Sequence, residues 1–161
     1  MTSAGTHLPE GYRISFAGWR DLLAVYRLEQ VIFPQDAYGY FDLLVLLLAP
    51  GMVNLKITAT DGALVGFASS GRLFRLGRTW IMTIGVHPAH QGRGLGRELL
   101  AACESLLPDP EIYLTVRESN TRARRLYLLA GYEQVRVKPR YYPGGETGIE
   151  MCKRRSPVPE A

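Results

Sequence analysis

The residues of this 161-residue chain best placed to do chemistry lie in one glycine-rich turn, Gln91-Gly92-Arg93-Gly94-Leu95-Gly96. The turn follows an apolar, β-prone run, Trp80-Ile81-Met82-Thr83-Ile84-Gly85-Val86. His87-Pro88 ends that strand, because proline has no N–H to give a ladder. Its interior glycine, Gly85, marks a bulge or a place where another backbone or a ligand comes close. After the turn, Leu95, Leu99, Cys103 and Leu106 recur at helical spacing, with Arg97, Glu98 and Glu104 off the stripe. Strand, glycine turn and helix N-terminus together make an anion site. Without side chains the backbone bends so that successive N–H groups point into one concavity, and the helix dipole adds partial positive charge. The ligand implied is a pyrophosphate. No Gly-Lys-Ser/Thr follows as in a phosphate loop, and the G-x-G-x-G spacing is not the G-x-G-x-x-G of dinucleotide binders. Over these six residues alone, a helix entry that merely needs glycines reads the same way.

The flanking residues narrow the reading. Val86 to Gly96 resembles the acyl-CoA-binding signature of the GNAT superfamily of N-acyltransferases, Q/R-x-x-G-x-G/A, with Gln91, Gly94 and Gly96 on its defined positions. The resemblance implies an acetyl-CoA substrate, with CoA as product. Its pyrophosphate would be held by backbone N–H groups of Gly92, Arg93, Gly94, Leu95 and Gly96, and its pantetheine arm paired with Ile84, Gly85 and Val86. A second stretch, Asn120 to Tyr132, resembles the family's N-x-x-A-x-x-L-Y-x-x-x-G-F/Y signature at every defined position. Asn120 and Ala123 then belong to the cofactor side. Tyr127 falls on the tyrosine that commonly protonates the CoA thiolate, although helix spacing alone reads it as a packed aromatic. Within the superfamily the chain is most similar to protein N-terminal acetyltransferases of the ribosomal-protein-alanine type. Three features carry this: the strand with Trp80 and Met82, the Phe33-Pro34 turn with Tyr38, and the Tyr141-Tyr142 pair. The resemblance implies that these residues line the acceptor's binding site.

One position departs from the pattern. Alanine-type members carry a general-base glutamate on the fifth strand, where this chain has Thr115. Threonine does not accept a proton at neutral pH, but its hydroxyl orients a water. No carboxylate occurs over residues 78–86, and Trp80 stands where other members use a tyrosine. Glu118 and Glu111 are the carboxylates near Thr115 in sequence, so the base stays open. His87 and His90 precede the glycine turn and read as surface residues.

These groups need a scaffold. Alternation and helical spacing predict a strand over 12–16, helices over 19–32 and 41–48, and strands over 53–60 and 64–70 joined by an Asp61-Gly62 hairpin turn. The glycine-loop strand and helix follow. Then come a strand over 111–117, a helix over 120–129 stopped by Gly131, and a strand pair over 132–137 and 147–153. The order is α+β. It matches the GNAT fold, whose mixed, mostly antiparallel sheet splays between its fourth and fifth strands. A single domain is expected over residues 12–155, with a flexible N-terminus over 1–11 and a flexible tail over 156–161. No run reaches the ~20 apolar residues of a membrane span, and no signal peptide stands out, so a cytoplasmic protein is expected. Cys103 and Cys152 read as buried thiols, with no metal site. A net charge of +4 suits a polyanionic cofactor as well as a nucleic acid, and no nucleic-acid motif accompanies it. The expected activity is acetyl transfer to a primary amine, the α-amine of a protein or peptide. The alternatives are a small amine (polyamine, aminoglycoside or amino acid) and a low-turnover acyl-CoA-binding domain, which Thr115 would explain.

Overall fold

The computed structural model describes residues 7–73 and 77–156; residues 1–6 and 157–161, where most of the flexible ends were expected, lie outside the described residues. The elements run β1 (Tyr12–Phe16), α1 (Leu22–Ile32) after a 3₁₀ turn at Trp19–Asp21, α2 (Tyr40–Leu48), β2 (Met52–Ala59), β3 (Leu64–Leu73) and β4 (Arg78–Val86). After a 3₁₀ turn at Pro88–His90 come α3 (Leu95–Leu106), β5 (Glu111–Arg117), α4 (Thr121–Leu129), β6 (Glu133–Lys138) and β7 (Gly148–Arg154). The expected α+β order is the one observed. The strands form one seven-stranded sheet in the order β1-β2-β3-β4-β5-β7-β6. The parallel β4–β5 ladder has only two rungs, Thr79↔Ile112 and Trp80↔Tyr113, as strands that splay apart would leave. Among the described residues no helix is long and apolar enough to cross a membrane.

Contacts divide the chain into two compact units. The first comprises residues 1–70 and 83–106. In it β1 pairs antiparallel with β2 from Tyr12↔Ala59 to Phe16↔Leu55. The Asp61-Gly62 turn closes as expected, with Gly62 at φ +82° and the Gly62 N–H bonded to the Ala59 carbonyl at 2.9 Å. Leu22, Val25 and Leu28 of α1 and Leu43, Leu46 and Leu47 of α2 are buried. On α3 the apolar buried residues are Leu95, Leu99, Leu100 and Cys103, while Leu106 is exposed; Leu107, with which the second unit resumes, is buried. The stripe therefore runs through 95, 99, 103 and 107, one residue away from the expected end. Glu98 and Glu104, expected off it, are both buried. His87 and His90 are half-buried rather than free on the surface. His87 Nδ1 accepts from the Ala89 N–H at 3.1 Å, and His90 Nδ1 pairs with the Tyr12 hydroxyl at 2.8 Å, so both brace the approach to the glycine turn.

The second unit comprises residues 71–82 and 107–161. Its frame is the antiparallel β5–β7 ladder, from Glu111↔Arg154 to Arg117↔Gly148, with β6 added along β7 across an irregularity between Gln134 and Arg136. Ile112, Leu114 and Val116 are buried on one face of β5, as the alternation predicted. Past the end of α4, Gly131 takes φ +96°, the left-handed cap expected there. The Tyr132 N–H then bonds the Tyr127 carbonyl at 2.9 Å, and both tyrosines are buried.

Candidate active site

In the first unit the glycine turn has the conformation its sequence calls for. Gly92 and Gly94 take φ +79° and +78°, in the left-handed region where a Cβ is penalised. The Gln91 amide donates to the Val86 carbonyl at 3.0 Å and ties the turn to the end of β4. The Gly94 carbonyl accepts from the Glu98 N–H at 3.1 Å, which opens α3. The first-turn N–H groups have no carbonyl within the helix to bond. Gln91, Gly92, Arg93 and Gly94 are exposed, while buried Leu95 and half-buried Gly96 anchor the helix start. An exposed row of N–H groups at the positive end of a twelve-residue helix fits the charge and size of a pyrophosphate. Upstream, Ile84 and Gly85 are half-buried and Val86 is buried. At Gly85 another part of the chain comes close: a Cβ there would stand 2.8 Å from Ile32 Cγ2 and 3.2 Å from Phe33 Cζ.

Phe33 caps α1, its N–H bonded to the Glu29 carbonyl at 2.8 Å. The Asp36 and Ala37 N–H groups bond back to the Phe33 carbonyl at 3.1 and 2.8 Å, which winds the loop that carries exposed Pro34 and half-buried Tyr38. Glu29 is 2% exposed. It accepts from the Thr83 hydroxyl at 2.5 Å and, at the 3.5 Å limit, from the Tyr38 N–H. Burial raises its carboxyl above the ordinary value, and the Thr83 and Tyr38 hydrogen bonds pull partly back. This carboxylate links α1, the loop and β4. It fell on the helical stripe of α1 in the sequence, where a charged residue among apolar ones was the signal available.

In the second unit Asn120 caps α4, its Oδ1 accepting from the Ala123 N–H at 3.1 Å, with Ala123 half-buried. Tyr127 is buried on α4 beside Tyr132, at 5.9 Å between ring centres, and burial pushes its hydroxyl well above the usual phenol range. Trp80 is buried against Tyr113 and Cys152, with Met82 packed on that cluster. Tyr141 and Tyr142 meet edge to face at 4.9 Å between ring centres. Glu118 stands exposed past the end of β5, its N–H bonded to the Thr147 carbonyl. Glu111 is engaged by the Tyr113 hydroxyl at 2.8 Å and by Arg154 at 3.1 Å.

Two residues around Thr115 had not been singled out. Glu150 is its directly opposed partner on β7 and is buried. Lys138, the last residue of β6, places Nζ 3.1 Å from Glu150 Oε1 and 3.3 Å from Thr115 Oγ1. The same ammonium lies 5.1 Å from the centre of the Trp80 ring and 4.8 Å from that of Tyr141. The signal in the sequence was Glu150 itself, a carboxylate inside the apolar run Ile149-Glu150-Met151-Cys152.

The profile of the acetyltransferase (GNAT) family matches residues 19–132. The [ribosomal protein bS18]-alanine N-acetyltransferase of Salmonella typhimurium is 33% identical over 150 residues, 86% of this chain and 95% of that protein. The N-alpha-acetyltransferase RimI of Mycobacterium tuberculosis is 43% identical over 88 residues, 52% of this chain and 54% of that protein. The crystal structure of the ribosomal-protein-S18-alanine N-acetyltransferase from Escherichia coli superposes with a TM-score of 0.79 at 26% identity, covering 92% of this chain and 97% of that one. Against three curated relatives, from Mycobacterium leprae, M. tuberculosis and Haemophilus ducreyi, the match spans only 28%, 54% and 63% of the relative's length. A family profile that covers most of the chain, and a relative matched along nearly its whole length, agree with the turn and the helix cap built above: the chain belongs to the acetyltransferase (GNAT) family.

Proposed function

We propose that this chain is an acetyl-CoA-dependent N-acetyltransferase that moves acetyl directly onto a primary amine, the N-terminal α-amine of a protein or peptide. The observation that carries the transferase reading is the glycine turn, with Gly92 and Gly94 left-handed at the exposed N-terminus of α3. The acceptor class is supported by the Salmonella relative, named for acetylation of a ribosomal-protein alanine and matched over 95% of its length. The aromatic set of Trp80, Tyr141 and Tyr142, with Met82 packed on the Trp80 cluster, supports it too: rigid apolar walls with hydroxyls suit the first residues of a peptide. A spermine/spermidine N(1)-acetyltransferase of Bacillus subtilis is 36% identical, but over only 45% of this chain. A polycationic acceptor needs free acidic walls, and Glu146 is already held by Arg117 and the Ser119 N–H.

In this reading the glycine turn of the first unit holds the CoA pyrophosphate; in the second unit Asn120 serves the cofactor side and Tyr127 gives a proton to the departing thiolate. Transfer is direct through a ternary complex: proximity and carbonyl polarisation supply most of the rate, with no covalent enzyme intermediate. The test is CoA release from acetyl-CoA against peptides of varied first residue, beside polyamines and aminoglycosides. Turnover on Ala-, Ser- or Met-starting peptides that disappears when they are N-blocked is the expected result. Turnover on small amines alone would move the acceptor to that class, and acetyl-CoA binding without turnover would leave a binding domain.

A further inference from the structure

Direct transfer needs a group to take the proton that the acceptor ammonium must lose, and the family's position for it holds Thr115. In an antiparallel ladder, directly opposed residues share one face of the sheet with Cβ atoms ~4.5–5.5 Å apart. The residue opposed to Thr115 is Glu150. We propose that Glu150 replaces the missing fifth-strand carboxylate, one rung across the sheet, and receives the acceptor's proton, with Lys138 and Thr115 as its positioning residues. This inference rests on the amine-transfer reading above.

The surroundings of Glu150 fit the task. A buried carboxylate needs a paired cation, and Lys138 supplies it at 3.1 Å. An ammonium only donates, so its 3.3 Å contact uses a lone pair of Thr115 Oγ1 and leaves the hydroxyl proton free to be passed on. Gly148 is the neighbouring residue of β7 on this face. A Cβ there would stand 2.9 Å from Tyr141 Cδ1 and 3.0 Å from Thr115 Cγ2, so a glycine is what leaves room for both side chains beside it. The other charged groups on this face are committed or outward. On β5, Arg117 pairs with Glu146 and Glu111 with Arg154. On β6, Arg136 is the exposed register partner of Glu150. Among the described residues Glu150 and Lys138 are thus the charged pair held at Thr115, with the Lys138 ammonium against the Trp80 and Tyr141 rings.

The step balances without a further reagent. One proton leaves the acceptor R–NH3⁺ for the Glu150 carboxylate, by way of the Thr115 hydroxyl or a water. The freed nitrogen lone pair forms the N–C bond at the thioester carbon. Collapse breaks the C–S bond and the thiolate takes a proton from Tyr127. The nitrogen sheds its second proton as the amide forms, and that proton returns Tyr127 to its hydroxyl form through water, while Glu150 releases the first to solvent. Net, one of the two nitrogen protons is accounted for on sulfur and one in solvent.

The test uses a peptide that the wild-type chain acetylates. Glu150→Gln lowers kcat ~10²–10⁴-fold, the range for loss of a positioned base, with acetyl-CoA affinity within about threefold of wild type. The acidic limb of the pH–kcat profile, where a carboxylate takes up its proton, flattens. Returning the carboxylate to β5 in the T115E/E150Q double variant recovers at least ~10-fold of that loss and restores the limb. Because E150Q leaves the half-buried Lys138 ammonium without its carboxylate, K138M/E150Q removes both charges and shows the same loss in a chain that unfolds at a temperature near the wild type's. Near-wild-type kcat in E150Q or in K138M/E150Q would overturn the proposal. So would a loss with the limb unchanged and no recovery by T115E, which marks a packing role. A wild-type chain that releases CoA with no amine at all sinks the transfer reading itself, and this inference with it, before any variant is made.

Discussion

At the scale of single residues, burial divides the reactive side chains into those that can exchange protons and those that cannot. The Tyr127 hydroxyl sits where burial holds it protonated at any working pH. That keeps a donor loaded at the start of each cycle, and because burial also makes it the weaker acid, its transfer is coupled to C–S cleavage as charge builds on sulfur. Tyr127→Phe should therefore lower kcat by ~10²-fold, leave acetyl-CoA binding unchanged by calorimetry and barely move the melting temperature; unaltered turnover would remove Tyr127 from the proton path. The two thiols point the other way. Both are free and buried, as the sequence led one to expect, and burial pushes Cys103 up to about 12 and raises Cys152. A thiol is nucleophilic only as thiolate. Intact-mass measurement after incubation with acetyl-CoA alone should show neither cysteine acetylated, whereas an acetyl thioester that chases into product would contradict direct transfer.

At the scale of elements, two glycines do different jobs. Gly94 at φ +78° has open space around its Cβ direction, with only Arg97 Nη2 at 3.9 Å, so Gly94→Ala acts through backbone strain alone. A left-handed L-residue costs ~1–2 kcal/mol. The chain relieves that by turning its N–H groups away, so KM for acetyl-CoA should rise ~10-fold while KM for the acceptor stays put. Gly85 is limited by contact instead. A methyl there overlaps Ile32 and presses on Phe33, and overpacking of this kind costs ~1–3 kcal/mol. Gly85→Ala should lower the melting temperature and raise KM for the acceptor, since Phe33 heads the acceptor-side loop; a change confined to the acetyl-CoA KM would refute that placement. The glycine turn, the α4 cap at Asn120 and the element order could all be read from the sequence, because each is encoded within a dozen neighbouring residues. The α3 stripe was read one position short, since Leu106 and Leu107 are equally apolar and only tertiary packing picks Leu107. Glu150 and Lys138 could not be joined to Thr115 by any local rule. Strand register brings positions 115 and 150 opposite each other, and register is set by pairing across the sheet.

At the scale of the molecule, two carboxylates in different units give stability opposite dependences on pH. Glu29, in the first unit, is raised above its ordinary value of 4.5 by burial, against the pull of Thr83 and Tyr38. Below 4.5 it is protonated in both the folded and unfolded chains. As pH climbs past 4.5 the unfolded chain releases this proton first, so the folded state binds more protons and loses stability until Glu29 itself ionises. Glu146, in the second unit, is lowered to about 2 by the hydroxyl and N–H of Ser119 and by Arg117. Its contribution is present above 4.5 and is lost as pH falls through about 2. Melting curves of wild type, Glu29→Gln and Glu146→Gln from pH ~2 to ~8 separate the two. Relative to wild type, Glu29→Gln should gain stability as pH rises from 4.5, because glutamine has no charge to bury. Glu146→Gln should be the less stable chain at neutral pH and converge on wild type toward about 2. Curves that run parallel to wild type across the whole range would mean that neither carboxylate is held as the fold places it: Glu29 would be reached by water beside Thr83, and Glu146 would be released from Ser119 and Arg117.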